Sequence, residues 1–170
     1  MTIFCAVSAG KTALPFLIFA VQSATTRNIN LYRPHRIPLV ISSAGGHPKD
    51  INLYQTSKTL SNALAAVTPG GTMFLLSQCR EGFGDADCEA QICNYNSMEA
   101  REKALRADFS IGGFVGFLFA ETAENYHLIL VTDIPAEQFA HTKIQVAHTL
   151  DEALALAAQC NGGSLDGVPH

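Results

Sequence analysis

The chain has 170 residues, 48% of them apolar and only 15% charged, with ten Phe, four Tyr and no Trp. That is the size of one domain with a real core and the composition of a globular chain rather than a disordered one. The formal net charge is −4. No segment carries the Lys/Arg stripe that neutralises phosphates, so nucleic acid is excluded as an expected partner.

In chain order, the first feature is the apolar run ALPFLIFAV over residues 13–21. It is far shorter than the ~20 residues a membrane helix needs, so no membrane association is expected. It reads as a buried strand or as a remnant of a neighbouring domain. The alternative is a signal-peptide hydrophobic region within residues 1–24, with Ser23 or Ala24 near the cleavage point. Lys11 is the one positive charge ahead of the run and Pro15 interrupts it, which argues against secretion. The polar stretch TTRNINLYRPHR then reads as a linker, so residues 1–35 stand apart from a domain over 36–170.

From Ile37 the pattern becomes regular. Residues 37–42 form a buried strand with Val40 and Ile41 at its centre. Ser43-Ala-Gly-Gly-His-Pro is a turn, and Pro48 suits the first position of a helix running to about Val67. In that helix Leu53, Leu60, Leu64 and Val67 share one face. Pro69-Gly70-Gly71 ends it, and residues 72–77 (TMFLLS) are the next strand. A Gly-rich loop over 81–84 leads to a polar helical region around 87–107 and an apolar, glycine-containing helix over 108–120. A strand over 127–132, a short helix over 135–140 and a short strand over 144–146 follow. The last helix spans 149–158, capped by Thr149 with Asp151 and Glu152 in its first turn. Strands alternating with helices predict an α/β layered domain, its sheet largely parallel or mixed and flanked by helices.

The five cysteines are Cys5, Cys79, Cys88, Cys93 and Cys160. Their odd number and irregular spacing point to reduced thiols in a cytoplasmic protein. The single C-x4-C at Cys88 and Cys93 lacks the second ligand pair of a zinc site, so no metal site is expected.

The segment with most chemistry is SSAGGHPKDINLYQTSK, residues 42–58. A strand, a Gly turn and a helix N-terminus present backbone N–H groups to a carboxylate or phosphate. The alternative is a purely structural turn, and neither the P-loop nor the G-x-G-x-x-G spacing is present. At about 100° per residue, Ile51, Gln55 and Lys58 share a stripe opposite the leucines, with Tyr54 at its edge. A Lys with an amide and a phenol nearby suits a small hydroxyacid; the competing reading is a solvated helix face.

This segment resembles the signature of the C-terminal domain of the nickel-dependent lactate racemase family, Ser-x-Gly-Gly-(aromatic or His)-Pro-x-Asp-x-Asn-x-Tyr-Gln-x-x-Lys. The likeness extends in order and spacing over residues 36–160. It implies a two-domain isomerase, a racemase of 2-hydroxyacids, whose N-terminal domain carries a nickel-pincer nucleotide and the acid/base histidines. It implies that Tyr54, Gln55 and Lys58 bind substrate across an interdomain cleft and that Gly45 and Gly46 form the turn that brings their helix there. No cofactor-tethering segment is recognisable in residues 1–35. The resemblance therefore implies a chain that binds no cofactor alone, has no catalytic residue of its own, is inactive in isolation and needs the N-terminal cofactor-bearing domain as partner. His47 occupies a position where an aromatic is common and is read as turn packing. Family members often carry His-Lys or a Trp in the region equivalent to 112–117, where this chain reads GGFVGF, so a hydroxyacid other than lactate fits. The alternatives are a stand-alone α/β module that binds a small anion, or an inactive truncated remnant.

Overall fold

The computed structural model describes residues 16–20, 36–48 and 51–160. Five strands, β1 (Phe16–Ala20), β2 (Ile37–Ser43), β3 (Val67–Leu76), β4 (His127–Val131) and β5 (Gln145–Ala147), form one sheet in sequential order, every neighbouring pair parallel. Five helices accompany them: α1 (Leu53–Leu64), α2 (Ala86–Cys93), α3 (Met98–Ala107), α4 (Ile111–Asn125) and α5 (Leu150–Cys160). The α/β expectation is met, with an all-parallel sheet. The apolar run at 13–21 supplies β1, which pairs with β2 in register Ile18–Ile41. The linker-like residues 25–35, the proposed cleavage point near Ser23 or Ala24 and the final residues 161–170 lie outside the described residues.

Parallel strands need both faces covered, because each crossover lays a helix on the sheet. The strand sequences obey this residue by residue. Val40, Met73, Leu75, Leu128 and Leu130 face a large core shared with Leu53 and Leu60 of α1, Cys88 and Ile92 of α2, and Val115 and Phe119 of α4. Their neighbours Ile41, Phe74 and Ile129 point the other way, to a smaller core closed by Ala147 and by Ala153 and Ala157 of α5. Among the described residues, the sheet thus lies between a thick helical layer and helix α5. Within the thick layer α2 and α4 approach closely at Gly116, where a Cβ would come within 2.5 Å of the Cys88 carbonyl oxygen and 2.7 Å of Gln91 Cβ.

Three sequence readings are corrected. α1 starts at Leu53, not Pro48, because Asn52 is its cap: the Asn52 side chain accepts from the Gln55 N–H at 3.0 Å. The segment before it is tied to the 81–84 loop, with Glu81 N–H on the Ile51 carbonyl, Leu53 N–H on Gly82 and Tyr54 N–H on Phe83. α1 also stops at Leu64, and Val67 begins β3. Pro69 and Gly70 lie inside that strand, where the pairing slips between Ile37–Val67 and Leu39–Thr72. A proline is tolerated at such a bulge, where no ladder hydrogen bond is lost. Finally, residues 87–107 divide into α2 and α3. Asn94 closes the first, and the Ser97 hydroxyl caps the second by accepting from the Ala100 N–H.

Candidate functional site at the strand ends

In open parallel sheets ligands bind beyond the carboxyl ends of the strands, where the connecting loops diverge. Here that end carries a cleft of about 410 Å³. One wall is the turn after β2, with Ser43, Ala44, Gly46 and His47; Gly46 takes φ +75°, open to glycine without strain. The floor comes from the residues after β3, Ser77, Gln78, Cys79 and Arg80, and the far wall from Thr132, Asp133 and His148.

The floor is rigid. The Gln78 carbonyl accepts both the Asp133 N–H at 3.0 Å and the Thr132 hydroxyl at 3.2 Å, and Ser77 N–H donates to the Val131 carbonyl at 3.0 Å. Beneath it, Ser77 Oγ lies 2.6 Å from Thr56 Oγ1, whose hydroxyl also contacts the Asn52 carbonyl at 3.0 Å. Cys79 holds φ +52°, an uncommon conformation for a side-chain-bearing residue, and its thiol donates to Ser77 Oγ at 3.3 Å.

The residues singled out from the sequence are placed as follows. Gly46 lines the cleft, and Gly45 precedes it half-buried. Tyr54 is half-buried against the large core. Gln55 and Lys58 lie together on α1, where Lys58 Nζ donates to Gln55 Oε1 at 2.7 Å with Lys58 exposed. None of these three lines the strand-end cleft; Ile51, just ahead of α1, does. Leu53 and Leu60 are fully buried, and Leu64 partly so. His47 is exposed at the cleft rim rather than packed in the turn. Sequence reading passed over Arg80, Asp133 and His148. The available signal was their position just beyond predicted strands, the place where parallel sheets put function.

Cys79, Cys88 and Cys93 are free thiols. Among the described residues no three His, Cys, Asp or Glu side chains gather as a metal-binding group, so this donor set does not fit a metal centre. Nor is Cys88 a nucleophile: burial, with Asp85 nearby, pushes its thiol up to about 12. A thiol whose pKa is higher folded than unfolded keeps its proton while the unfolded chain loses it. Stability is therefore intact below about 9 and falls as pH rises from about 9 towards about 12. The loss is at most about 1.4 kcal/mol per pH unit. Urea denaturation across this range should show a flatter pH dependence for Cys88→Ala than for the unmodified chain; identical slopes would refute the assignment.

A parallel α/β domain with a preformed cleft at its strand ends and a Tyr-Gln-x-x-Lys helix beside it defines the class. The chain belongs to the lactate racemase C-terminal domain family, whose model matches residues 33–166. It is 27% identical over 129 residues to the lactate racemase of Lactiplantibacillus plantarum, covering 70% of this chain and 29% of that protein. It is 26% identical over 143 residues to the lactate racemase of Thermoanaerobacterium thermosaccharolyticum, covering 77% and 32%. The solved structure of the latter's apoprotein superposes with a TM-score of 0.64 at 26% identity, over 74% of this chain and 31% of that one. The chain thus spans about a third of the length of these relatives. Among the described residues no helix is long and apolar enough to cross a membrane.

Proposed function

We propose that this chain is the C-terminal part of a 2-hydroxyacid racemase or epimerase, contributing substrate contacts to a cleft completed by a cofactor-bearing domain. The observation that carries this reading is the Gln55–Lys58 pair, joined at 2.7 Å on a solvent-facing stretch of α1 inside the family match. An ammonium held by one amide oxygen keeps two further N–H donors for a substrate carboxylate, and the Gln55 amide nitrogen remains for a substrate oxygen. Tyr54, anchored in the core, fixes the turn that presents them, and the Gly45-Gly46 turn sets the start of that segment.

This reading assigns the nickel-pincer nucleotide of the family to a part of the protein other than the described residues, among which no three His, Cys, Asp or Glu side chains gather. It belongs to the N-terminal domain, and that domain is the partner. When bound there it supplies the hydride chemistry at the substrate's C2. The free thiols fit a reducing, cytoplasmic setting. The sequence GGFVGF over 112–117 departs from the family's usual residues there, so the substrate class extends to hydroxyacids other than lactate as well as lactate itself.

Joining this chain to the N-terminal part of the Lactiplantibacillus plantarum enzyme provides the test. With a panel of 2-hydroxyacids, Lys58→Ala should lower kcat/KM of the joined protein at least about thirty-fold, the roughly 2 kcal/mol of a lost charged contact. Equal kcat/KM for the two proteins would reduce the α1 face to a solvated surface.

A further inference from the structure

We propose that the strand-end cleft is a binding site for a free α-amino acid in its zwitterionic form. Arg80 takes the carboxylate, and Asp133 together with His148 takes the ammonium group. The inference stands on the cleft alone and needs neither Gln55 nor Lys58, which do not line it.

The cleft holds two opposite charges that do not neutralise each other. Among the described residues the ion pairs are Arg106–Glu102 and Lys143–Glu124, so Arg80 and Asp133 share a lining without pairing. Gln78 fixes both of them. Its side-chain oxygen accepts from Arg80 Nε at 2.8 Å, which orients the guanidinium and leaves its terminal amines for a ligand. Its backbone carbonyl accepts from the Asp133 N–H at 3.0 Å, which anchors the loop that carries the carboxylate. A ligand with one charge is attracted by one of these groups and repelled by the other. A ligand with both charges satisfies the two together.

Two further groups in the lining accept rather than donate. His148 Nδ1 lies 2.9 Å from the Thr132 carbonyl, which can only accept, so Nδ1 carries the proton and the neutral ring offers its Nε2 lone pair. The His148 N–H donates to Glu152 Oε2 at 2.7 Å, which holds the residue against the start of α5. Ser77 has no proton to give either. The Thr56 hydroxyl donates to the Asn52 carbonyl, so at the 2.6 Å contact Ser77 is the donor and Thr56 the acceptor. An ammonium group has three N–H donors and serves Asp133 and His148 Nε2 with separate protons. A hydroxyl has one proton and no charge to set against Asp133. The cleft therefore selects an amine over a hydroxyl at the carbon beside the carboxylate.

Size and rigidity agree with this ligand. A volume of about 410 Å³ suits a small molecule, and Ile51, Leu76 and Val131 give a short apolar side chain its neighbours. The hydrogen bonds that tie the loops after β3 and β4 together mean that little ordering is needed on binding.

The test titrates the full 170-residue chain with L-alanine, lactate, propionate and ethylamine, following backbone amides by two-dimensional NMR. At about pH 7.5 an ordinary imidazole is neutral. Lactate replaces the ammonium of alanine with a hydroxyl, propionate removes it, and ethylamine removes the carboxylate. Alanine should shift Gly46, Ser77, Thr132 and His148, and should bind at least about tenfold more tightly than each of the other three. Arg80→Gln should weaken alanine at least about tenfold and leave ethylamine unchanged. Asp133→Asn should weaken alanine by a similar factor and leave propionate no weaker. His148→Ala should cost alanine about fivefold, the loss of one acceptor. All three residues are exposed, so the spectra of the variants should keep the native dispersion. Lactate, propionate or ethylamine coming within about tenfold of alanine would overturn the proposal. So would alanine shifts confined to residues outside the cleft, or no shifts at all. Full alanine affinity in Arg80→Gln or in Asp133→Asn would overturn it as well.

Discussion

Phe119→Ala is expected to destabilise the chain by about 3–5 kcal/mol, read as a lower denaturation midpoint with an unchanged m-value. Phe119 lies in α4 and is fully buried in the large core. Two costs add: the transfer free energy of the ring, and the cavity left because its surroundings cannot close. Collapse is restricted because α4 is already in tight contact with α2 at Gly116, so the helix has nowhere to advance. With total stability for a domain of this size at about 5–15 kcal/mol, a large share is at stake. Phe119→Leu keeps most of the volume and should cost less than about 1.5 kcal/mol. A loss below about 1 kcal/mol for Phe119→Ala would show that α4 repacks freely and that the α2–α4 contact does not constrain it.

Features governed by local pattern were legible in the sequence. The strands at 37–42 and 127–132 stand out because both faces are covered, so Val40 with Ile41 and Leu128 through Leu130 read as continuous apolar runs. Thr149 announced the start of α5 because a cap and its acidic first turn are neighbours in sequence. The beginning of α1 was not legible, since residues 51–54 take their hydrogen bonds from a loop about thirty positions away. A proline after a Gly turn is a local signal for a helix start, and that distant pairing overrides it. The end of α1 failed in a related way: Val67 continues the helical period yet pairs with Ile37 in the sheet.

The candidate sites divide along the same line. The Tyr54, Gln55 and Lys58 stripe sits on one stretch of helix, so its spacing carries information. The cleft gathers single residues from the ends of separate strands, with Arg80 after β3 and His148 after β5. No spacing links them, and only the parallel order of the sheet brings their loops to one end. Topology, which periodicity alone does not specify, is therefore what exposes the cleft.

Arg101→Met is expected to cost about 3 kcal/mol or more, although it replaces a charged residue with an apolar one of similar length. Arg101 is 2% exposed. Its guanidinium donates to the carbonyls of Gln91 at 2.8 Å, Ile92 at 3.5 Å and His141 at 2.6 Å. The first two are the orphan acceptors of the last turn of α2, the negative end of that helix, where a cation is favoured. The third lies in the loop that enters β5, so one side chain joins α2, α3 and the far edge of the sheet. Among the described residues no carboxylate forms an ion pair with it; burial disfavours the charge, and these backbone dipoles, with Glu124 at longer range, favour it. Met would fill the space and leave the carbonyls buried without donors, while the buried Gln91 Oε1 already has no partner. Arg101→Lys keeps the charge but not the planar fork, so it should fall between Met and the unmodified chain. Guanidinium chloride denaturation ranks the three proteins. Met as stable as Arg would mean that the carbonyls find other partners and that α2 needs no cation at its end.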